Sequence, residues 1–315
     1  MKILNQYQGE NYIMYHADCI DAIAGIPDES IHYSIFSPPF SNLFTYSNSD
    51  RDLGNSKSDA EFYEHLNFLC AGLFRVMKRG RLVSIHCMDS LATITHDGFI
   101  GLKDMPGIII AAFQSAGFIY HSRVCIWKDP LVQATRTKAL ALAHKQISKD
   151  SSRCAMGLPD YIVTMRKPGA NAEPIEHGRG FESYIGEEDE PKNPKTNDPR
   201  TNKYSHNVWQ RYASPVWWDI RQTNTLNAKA ARSDKDEKHI CPLQLDTIAR
   251  CLELWSNRGD LVLSPFAGIG SEGYQSLLMD RKFIGIELKE SYYKQAVKNL
   301  KSIEFSAKQQ CLFEA

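Results

Sequence analysis

The chain has 315 residues, 43% hydrophobic and 23% charged, and its 37 basic side chains are matched by 37 acidic ones. That apolar content supplies a packed core and excludes a mainly disordered chain. No apolar run approaches the roughly 20 residues of a membrane span, and the balanced charge excludes a uniformly basic coat. The start, Met1 to Gln6, turns polar too early for a secretory signal. Eight cysteines with no CxxC pair and wide spacings argue against a zinc site or a disulfide framework and suit reduced thiols in a cytosolic protein.

In chain order, 13–15 reads as a short strand, 21–24 as a helical turn, and 31–36 as a second strand. Ser37-Pro38-Pro39-Phe40 stops that strand, because proline cannot donate to a ladder. Phe62, Leu66, Leu69, Leu73 and Val76 recur at three- and four-residue steps and predict an amphipathic helix over 59–78. A buried strand at 82–86, a helix at about 106–116 and a strand at 118–127 follow. This alternation predicts an α/β fold with a mostly parallel sheet and helices on its faces. Residues 131–148 read as an Ala/Leu helix. Residues 168–204 hold Pro168, Pro174, Pro191, Pro194 and Pro199 with little periodicity, the mark of a long surface excursion. Helical spacing returns at 243–255. A strand at 260–263, a Gly-rich turn, a helix at 271–279, a strand at 283–287 and a helix at 290–301 then complete a βαβα unit.

Two motifs carry chemistry. Gly268, Gly270 and Gly273 fit G-x-G-x-x-G between a strand and a helix, where glycine lets the backbone approach a ligand closely. Glu287 ends the next strand, placed to accept hydrogen bonds from both hydroxyls of a ribose. Dinucleotides and S-adenosylmethionine both suit that geometry. The second motif is Ser37-Pro38-Pro39-Phe40 at a strand's carboxyl end, the edge outside which ligands bind in open α/β sheets.

Together these residues resemble the amino-directed DNA methyltransferases of bacterial and phage type, in the permuted order that puts the catalytic tetrad first and the cofactor motif last. Ser37-Pro38-Pro39-Phe40 matches the tetrad, and Phe266-Ala267-Gly268-Ile269-Gly270 matches FxGxG. Gly285-Ile286-Glu287 resembles the acidic ribose motif, Lys238-His239-Ile240-Cys241-Pro242 the His-Pro segment, and Asp18 the Gly-Asp before the catalytic strand. The match covers about 12–128 and 236–302. It implies a Rossmann-like, S-adenosylmethionine-dependent methyltransferase fold with circularly permuted motif order and an irregular target-recognition insertion. The implied division is a catalytic half at 1–130, a DNA-contact region at 131–237 with the loop 168–204, and a cofactor-binding half at 238–315.

The implied reaction moves a methyl group from S-adenosylmethionine to the exocyclic amine of a base flipped out of double-stranded DNA. Ser37 and the Pro38 carbonyl would accept the amine protons, Pro39 would stiffen the turn and Phe40 would stack on the base. Asp18, His239, Ser264, Phe266, Gly268, Gly270 and Glu287 would line the cofactor, with no metal. Ser264 departs from the usual Asp and cannot offset the cofactor's ammonium charge. Phe40 also suits a core aromatic, Asp18 a helix N-cap, and His239 a surface position. Ser in the tetrad leans toward cytosine N4 rather than adenine N6.

Charge is segregated along the chain. Residues 121–167 hold nine Lys/Arg against three acids, 171–191 one Arg against seven acids, and 192–238 ten basic against five acidic. The basic stretches suit phosphate contact, with Arg136, Lys138, Lys145, Arg153 and Arg211 as candidates, or else solvated faces. Two rival readings remain: an NAD-dependent oxidoreductase, which leaves Ser37–Phe40 unused, and a non-catalytic DNA-binding protein on a decayed methyltransferase fold, which Ser264 motivates. The sequence is compatible with a homodimer and names no partner nuclease. It suits a cytoplasmic protein.

Overall fold

The computed structural model describes residues 3–39, 59–92, 94–137, 143–154, 156–226 and 242–313, with side chains described except at 59–62, 95–96, 136–137 and 306–313. One nine-stranded sheet organises them. In chain order its strands are β1 (Ile3–Gln8), β2 (Tyr12–Ala17), β3 (Ile31–Phe36), β4 (Met77–Met88), β7 (Ile119–Ile126), β8 (Asp160–Arg166), β9 (Val216–Trp217), β10 (Leu261–Ser264) and β11 (Lys282–Glu287). A separate hairpin pairs β5 (Ser90–Ala92) with β6 (Gly101–Lys103).

The sheet order is β1-β2-β11-β10-β3-β4-β8-β7-β9. The five central strands β2, β11, β10, β3 and β4 are parallel. β8 runs antiparallel to both β4 and β7, and β1 runs antiparallel to β2. The mostly parallel α/β sheet is thus as expected, with β1, β8 and the two-residue β9 as strands that the periodicity did not announce.

Helices cover both faces. On one, α1 (Cys19–Ile23), α2 (Asp59–Val76) and α4 (Met105–Ser115) pack Ile23, Leu66, Leu69, Leu73, Ile109 and Phe113 against Phe36, Val83, Ile85 and Val163. The short α3 spans Ile94–Asp97. On the other face, α7 (Leu245–Trp255) and α9 (Glu290–Phe313) pack Ile248, Leu252, Tyr293, Ala296 and Leu300 against Tyr33, Ile35, Val262 and Phe283. α8 (Ser271–Leu278) leads from the Gly-rich turn. The three- and four-residue steps seen in α2 are the buried stripe: Leu66, Leu69, Leu73 and Val76 have no exposed surface.

The middle of the chain departs from expectation. The helix anticipated over 131–148 is not continuous. α5 spans Pro130–Thr137, capped by Asp129 Oδ1, which accepts from the Leu131 and Val132 amides. Ala143 is extended, with φ −76° and ψ 126°, so His144–Gln146 form only a 3-10 turn.

Residues 168–202 contain neither helix nor strand, as expected, yet they do not simply wander over the surface. Phe181 is buried with Tyr204, Val208 and Tyr212 of α6 (Lys203–Tyr212), a helix the sequence did not signal. Asp219 then receives Arg250 of α7 in a two-pronged pair at 2.9 and 3.0 Å, both side chains buried. Arg250 also lies over the rings of Tyr212 and Trp217.

Candidate active site

The chain leaves β10 toward β11 on one side and β3 toward β4 on the other, so β10 and β3 flank the point where strand order reverses. Ligands bind outside the carboxyl ends of strands at such a point. The ladder between the two is short, pairing only Val262 with Tyr33 and Leu263 with Ser34. The Ser34 hydroxyl locks its end by donating to the Leu263 carbonyl at 2.9 Å. Beyond that bond the strands are unpaired, and two turns face each other: Ser264–Gly270 after β10, and Ser37-Pro38-Pro39 after β3. Phe36 and Phe266 pack across the gap with ring centroids 5.7 Å apart.

The β10 turn is built for close approach. Gly268 has φ +53° and no atom within 4 Å of where a Cβ would stand, so a side chain there would fill open space beside the turn. Gly270, at φ +87°, caps α8, and an added Cβ would lie 3.2 Å from that of Ala296. Glu287 ties the turn to β11: one carboxylate oxygen accepts from the Gly268 amide at 2.8 Å and the other from the Lys289 amide at 2.8 Å. The Ser264 hydroxyl is buried with no hydrogen-bond partner among the described residues. An open glycine turn, an unpartnered polar atom and an anchored carboxylate suit a ligand with a ribose and a polar tail. Glu272, in the first turn of α8, was not anticipated. Burial, reinforced by the nearby Glu287, raises its carboxyl to about 8, so it is largely protonated at neutral pH.

The β3 turn has its own support. Ser37 follows Phe36, whose register partner is Ile85 on β4, so it meets His86. The Ser37 hydroxyl lies 3.0 Å from His86 Nδ1. His86 Nε2 lies 2.9 Å from Asp160 Oδ2, and Lys128 Nζ is 2.7 Å from the same oxygen. Asp160 opens β8, and because β8 runs antiparallel its first residue reaches the edge where β3 and β4 end. Burial alone would raise the Asp160 carboxyl, but His86 and Lys128 outweigh it by charge and hydrogen bonding and hold it at about 2. His86 and Asp160 are 74 positions apart with Lys128 between them, and no local pattern links the three.

Several expected residues take different parts. Asp18 caps α1, its carboxylate accepting from the Ile20 and Asp21 amides at 2.9 and 3.3 Å; a helix terminus leaves its first amides unpaired, and this side chain satisfies two of them. Lys145 and Arg153 are exposed, as phosphate contact requires. Arg211 is not a free cation: it donates to the Asp189 carbonyl at 3.1 Å, pairs with Glu188 at 3.3 Å and lies over the Tyr184 ring. Phe40, Lys138, His239 and the Arg136 side chain lie outside the described residues.

The basic stretch 121–167 is also less of a surface than its composition suggested. Lys128 is only 8% exposed on Asp160. Lys167, 6% exposed, donates to the Met77 carbonyl and Glu29.

One cluster among the described residues has metal-ligating side chains: His32, Glu173 and Asp260. It lies at the opposite, amino-terminal edge of the sheet. Arg81 reaches Asp260 at 3.0 Å and Lys78 reaches Glu173 at 2.5 Å. Two cations already neutralise its carboxylates, and the cluster reads as an ion-pair network fastening residue 173 to the sheet.

The class that fold and site define is a Rossmann-like methyltransferase, with the Gly268 turn and the Ser37 turn on one edge of the sheet. A family model described as DNA methylase, N6_N4_Mtase, matches residues 31–298. The chain belongs to this family, the S-adenosylmethionine-dependent enzymes that methylate an exocyclic amine of DNA. The DNA adenine methyltransferase YhdJ of Escherichia coli K12 is 37% identical over 300 residues, covering 94% of this chain and 84% of its own length. The type II methyltransferase M.HindIII of Haemophilus influenzae is 23% identical over 92% of this chain and 84% of its own. In fold, the chain is similar to TTHA0409 of Thermus thermophilus solved with S-adenosyl-L-methionine (TM-score 0.61, 19% identity, covering 91% and 93% of the two chains). It is equally similar to the cytosine-N4-specific PvuII DNA methyltransferase (TM-score 0.61, 14% identity, 95% and 90%).

Proposed function

We propose that this enzyme methylates N6 of adenine in double-stranded DNA at a specific sequence, in the bacterial cytoplasm. The choice of base is supported by the 37% identity to a protein named as an adenine methyltransferase. Ser37 at the head of the tetrad favours the second reading, cytosine N4, and the two differ only in which flipped ring the pocket admits. No helix among the described residues is long and apolar enough to cross a membrane.

The observation that carries the reading is the meeting of the two turns at the switch point, with Ser37 on one and the open Gly268 turn on the other. The cofactor, when bound, supplies an electrophilic methyl group. Gly268 and Gly270 would let the backbone lie against it, Ser264 would accept or donate one hydrogen bond, and Glu287 would receive the ribose hydroxyls. The target amine is a poor nucleophile because its lone pair is delocalised into the ring. Ser37 Oγ and the Pro38 carbonyl would accept its two protons, hold the nitrogen nearer sp³ and aim the lone pair across the gap. Catalysis then rests on positioning. Lys145 and Arg153 would take phosphates, giving a binding constant that falls steeply with salt.

The test is expression in a host free of DNA methylation, followed by long-read mapping and radiolabelled methyl transfer in vitro. N6-methyladenine at one motif is the expected mark. N4-methylcytosine would move the reading to cytosine, and unmethylated DNA in both assays would overturn it.

A further inference from the structure

We propose that Ser37, His86 and Asp160 form a proton relay that removes the proton released by methyl transfer, with His86 and Asp160 acting through Ser37 as positioning residues and Lys128 holding Asp160 ionised. This rests on the function proposed above.

The chemistry requires an exit for a proton. As the amine nitrogen forms its bond to the methyl carbon, the carbon–sulfur bond breaks and its electron pair stays on sulfur. The nitrogen is left with one proton too many and a positive charge, and the methylated product is neutral only once that proton departs. Ser37 Oγ, which accepts a hydrogen bond from the amine, is the first oxygen available. A serine hydroxyl is too weak a base to keep a second proton, so its own proton must move on as the new one arrives.

The structure provides the next acceptor. Asp160 Oδ2 faces His86 Nε2 at 2.9 Å, and an ionised carboxylate can only accept. Nε2 therefore carries a proton, and in the neutral ring Nδ1, 3.0 Å from the Ser37 hydroxyl, presents its lone pair to it. The His86 carbonyl is the competing acceptor, at 3.4 Å, longer than a normal O–H···O bond. With the neutral ring the Ser37 hydroxyl donates to Nδ1, which leaves its oxygen free to accept from the amine.

When the proton reaches Nδ1 the ring becomes an imidazolium, and the carboxylate on its far nitrogen stabilises that charge. Lys128, at 2.7 Å from the same carboxylate oxygen, keeps Asp160 ionised in a site where it is only 5% exposed. The proton leaves to solvent between turnovers. The ring is turned over relative to the serine hydrolase triad, in which Nε2 faces the serine. The function differs accordingly: Ser37 passes a proton and forms no covalent bond.

The experiment measures single-turnover methyl transfer to DNA by the full-length wild-type, His86→Ala, His86→Asn and Asp160→Asn proteins, with cofactor and DNA affinities measured in parallel and imidazole added to His86→Ala. Positioned proton transfer contributes about 10²–10⁴-fold. The expected result is a rate about 10²-fold lower in both His86 variants, affinities within about twofold of wild type, partial rescue of His86→Ala by imidazole, and a smaller loss in Asp160→Asn. His86→Asn decides the matter if His86→Ala fails to bind cofactor. Either His86 variant transferring methyl at the wild-type rate would overturn the relay. So would a loss that tracks weakened cofactor or DNA binding and does not respond to imidazole. Wild-type protein that leaves DNA unmethylated would overturn the proposed function and the relay with it.

Discussion

The β10-to-α9 unit at 261–300 and the middle segment at 168–226 are held together by different means. In the first, the elements of the motif are near in sequence: β10, the glycine turn, α8 and β11 follow one another, and Glu287 reaches back 19 positions to Gly268, although β10 and β11 also pair with the distant β3 and β2. Its glycines, alternation and helical spacing are readable because the structure they specify is local. The middle segment has almost no regular structure before α6. It is held by scattered aromatics and by one buried pair across 31 positions, Arg250 with Asp219. Regular hydrogen bonding holds the one, and specific side-chain pairing the other. Local patterns betray only the first.

The sharpest way to break that contrast is Arg250→Ala. It strands the buried Asp219 carboxylate beside Tyr184, whose hydroxyl donates to it at 2.5 Å. Removing one partner of a buried pair costs about 3–5 kcal/mol. The thermal unfolding midpoint should fall accordingly, and limited proteolysis should open 168–226 before it touches 261–300. Simultaneous cleavage of both would show that the two regions share one cooperative unit.

Ser37→Ala should leave the fold intact and lower kcat about 10²-fold, with S-adenosylhomocysteine affinity unchanged in calorimetry. A fall in affinity instead would make Ser37 a binding residue. Glu287→Gln should weaken cofactor binding about tenfold, the scale of a hydrogen bond to a charged group, and loosen the turn that the Gly268 amide anchors. Equal affinity would remove Glu287 from the cofactor site.

The smallest expected effect concerns Glu272. Its carboxyl, raised by burial to about 8, keeps its proton in the folded protein where the unfolded chain has lost it. Stability should therefore fall as pH rises from the ordinary glutamate range to about 8, and level off above. Glu272→Gln should flatten that slope and raise stability at pH 8 by at least about 1 kcal/mol, seen as a higher midpoint in urea. An unchanged slope would place the titration elsewhere.

The same division runs through the active site. The tetrad after β3 and the glycine turn after β10 were legible because each is a short run at a strand end. Their meeting follows from the strand order, with β10 beside β3, which the structure supplies. Asp18 was readable as either cap or ligand, and the structure shows the cap. Lys128 was counted with the basic surface, whereas it lies buried on Asp160. Arg211 was counted likewise, whereas it is engaged by Glu188 and the Asp189 carbonyl. A lysine in a sequence carries no mark of whether phosphate or carboxylate will face it.

By itself, then, the sequence determined the α/β class, the permuted order of motifs, the glycine turn and the serine that follows β3. Each depends on backbone preferences and on spacing within a few residues. Only the tertiary structure decided that β8 runs antiparallel, and so that Asp160 arrives at the edge where β4 delivers His86 and β3 delivers Ser37. Strand direction and neighbour are set by the packing of the whole sheet, a balance of many weak contacts that no short stretch of chain contains.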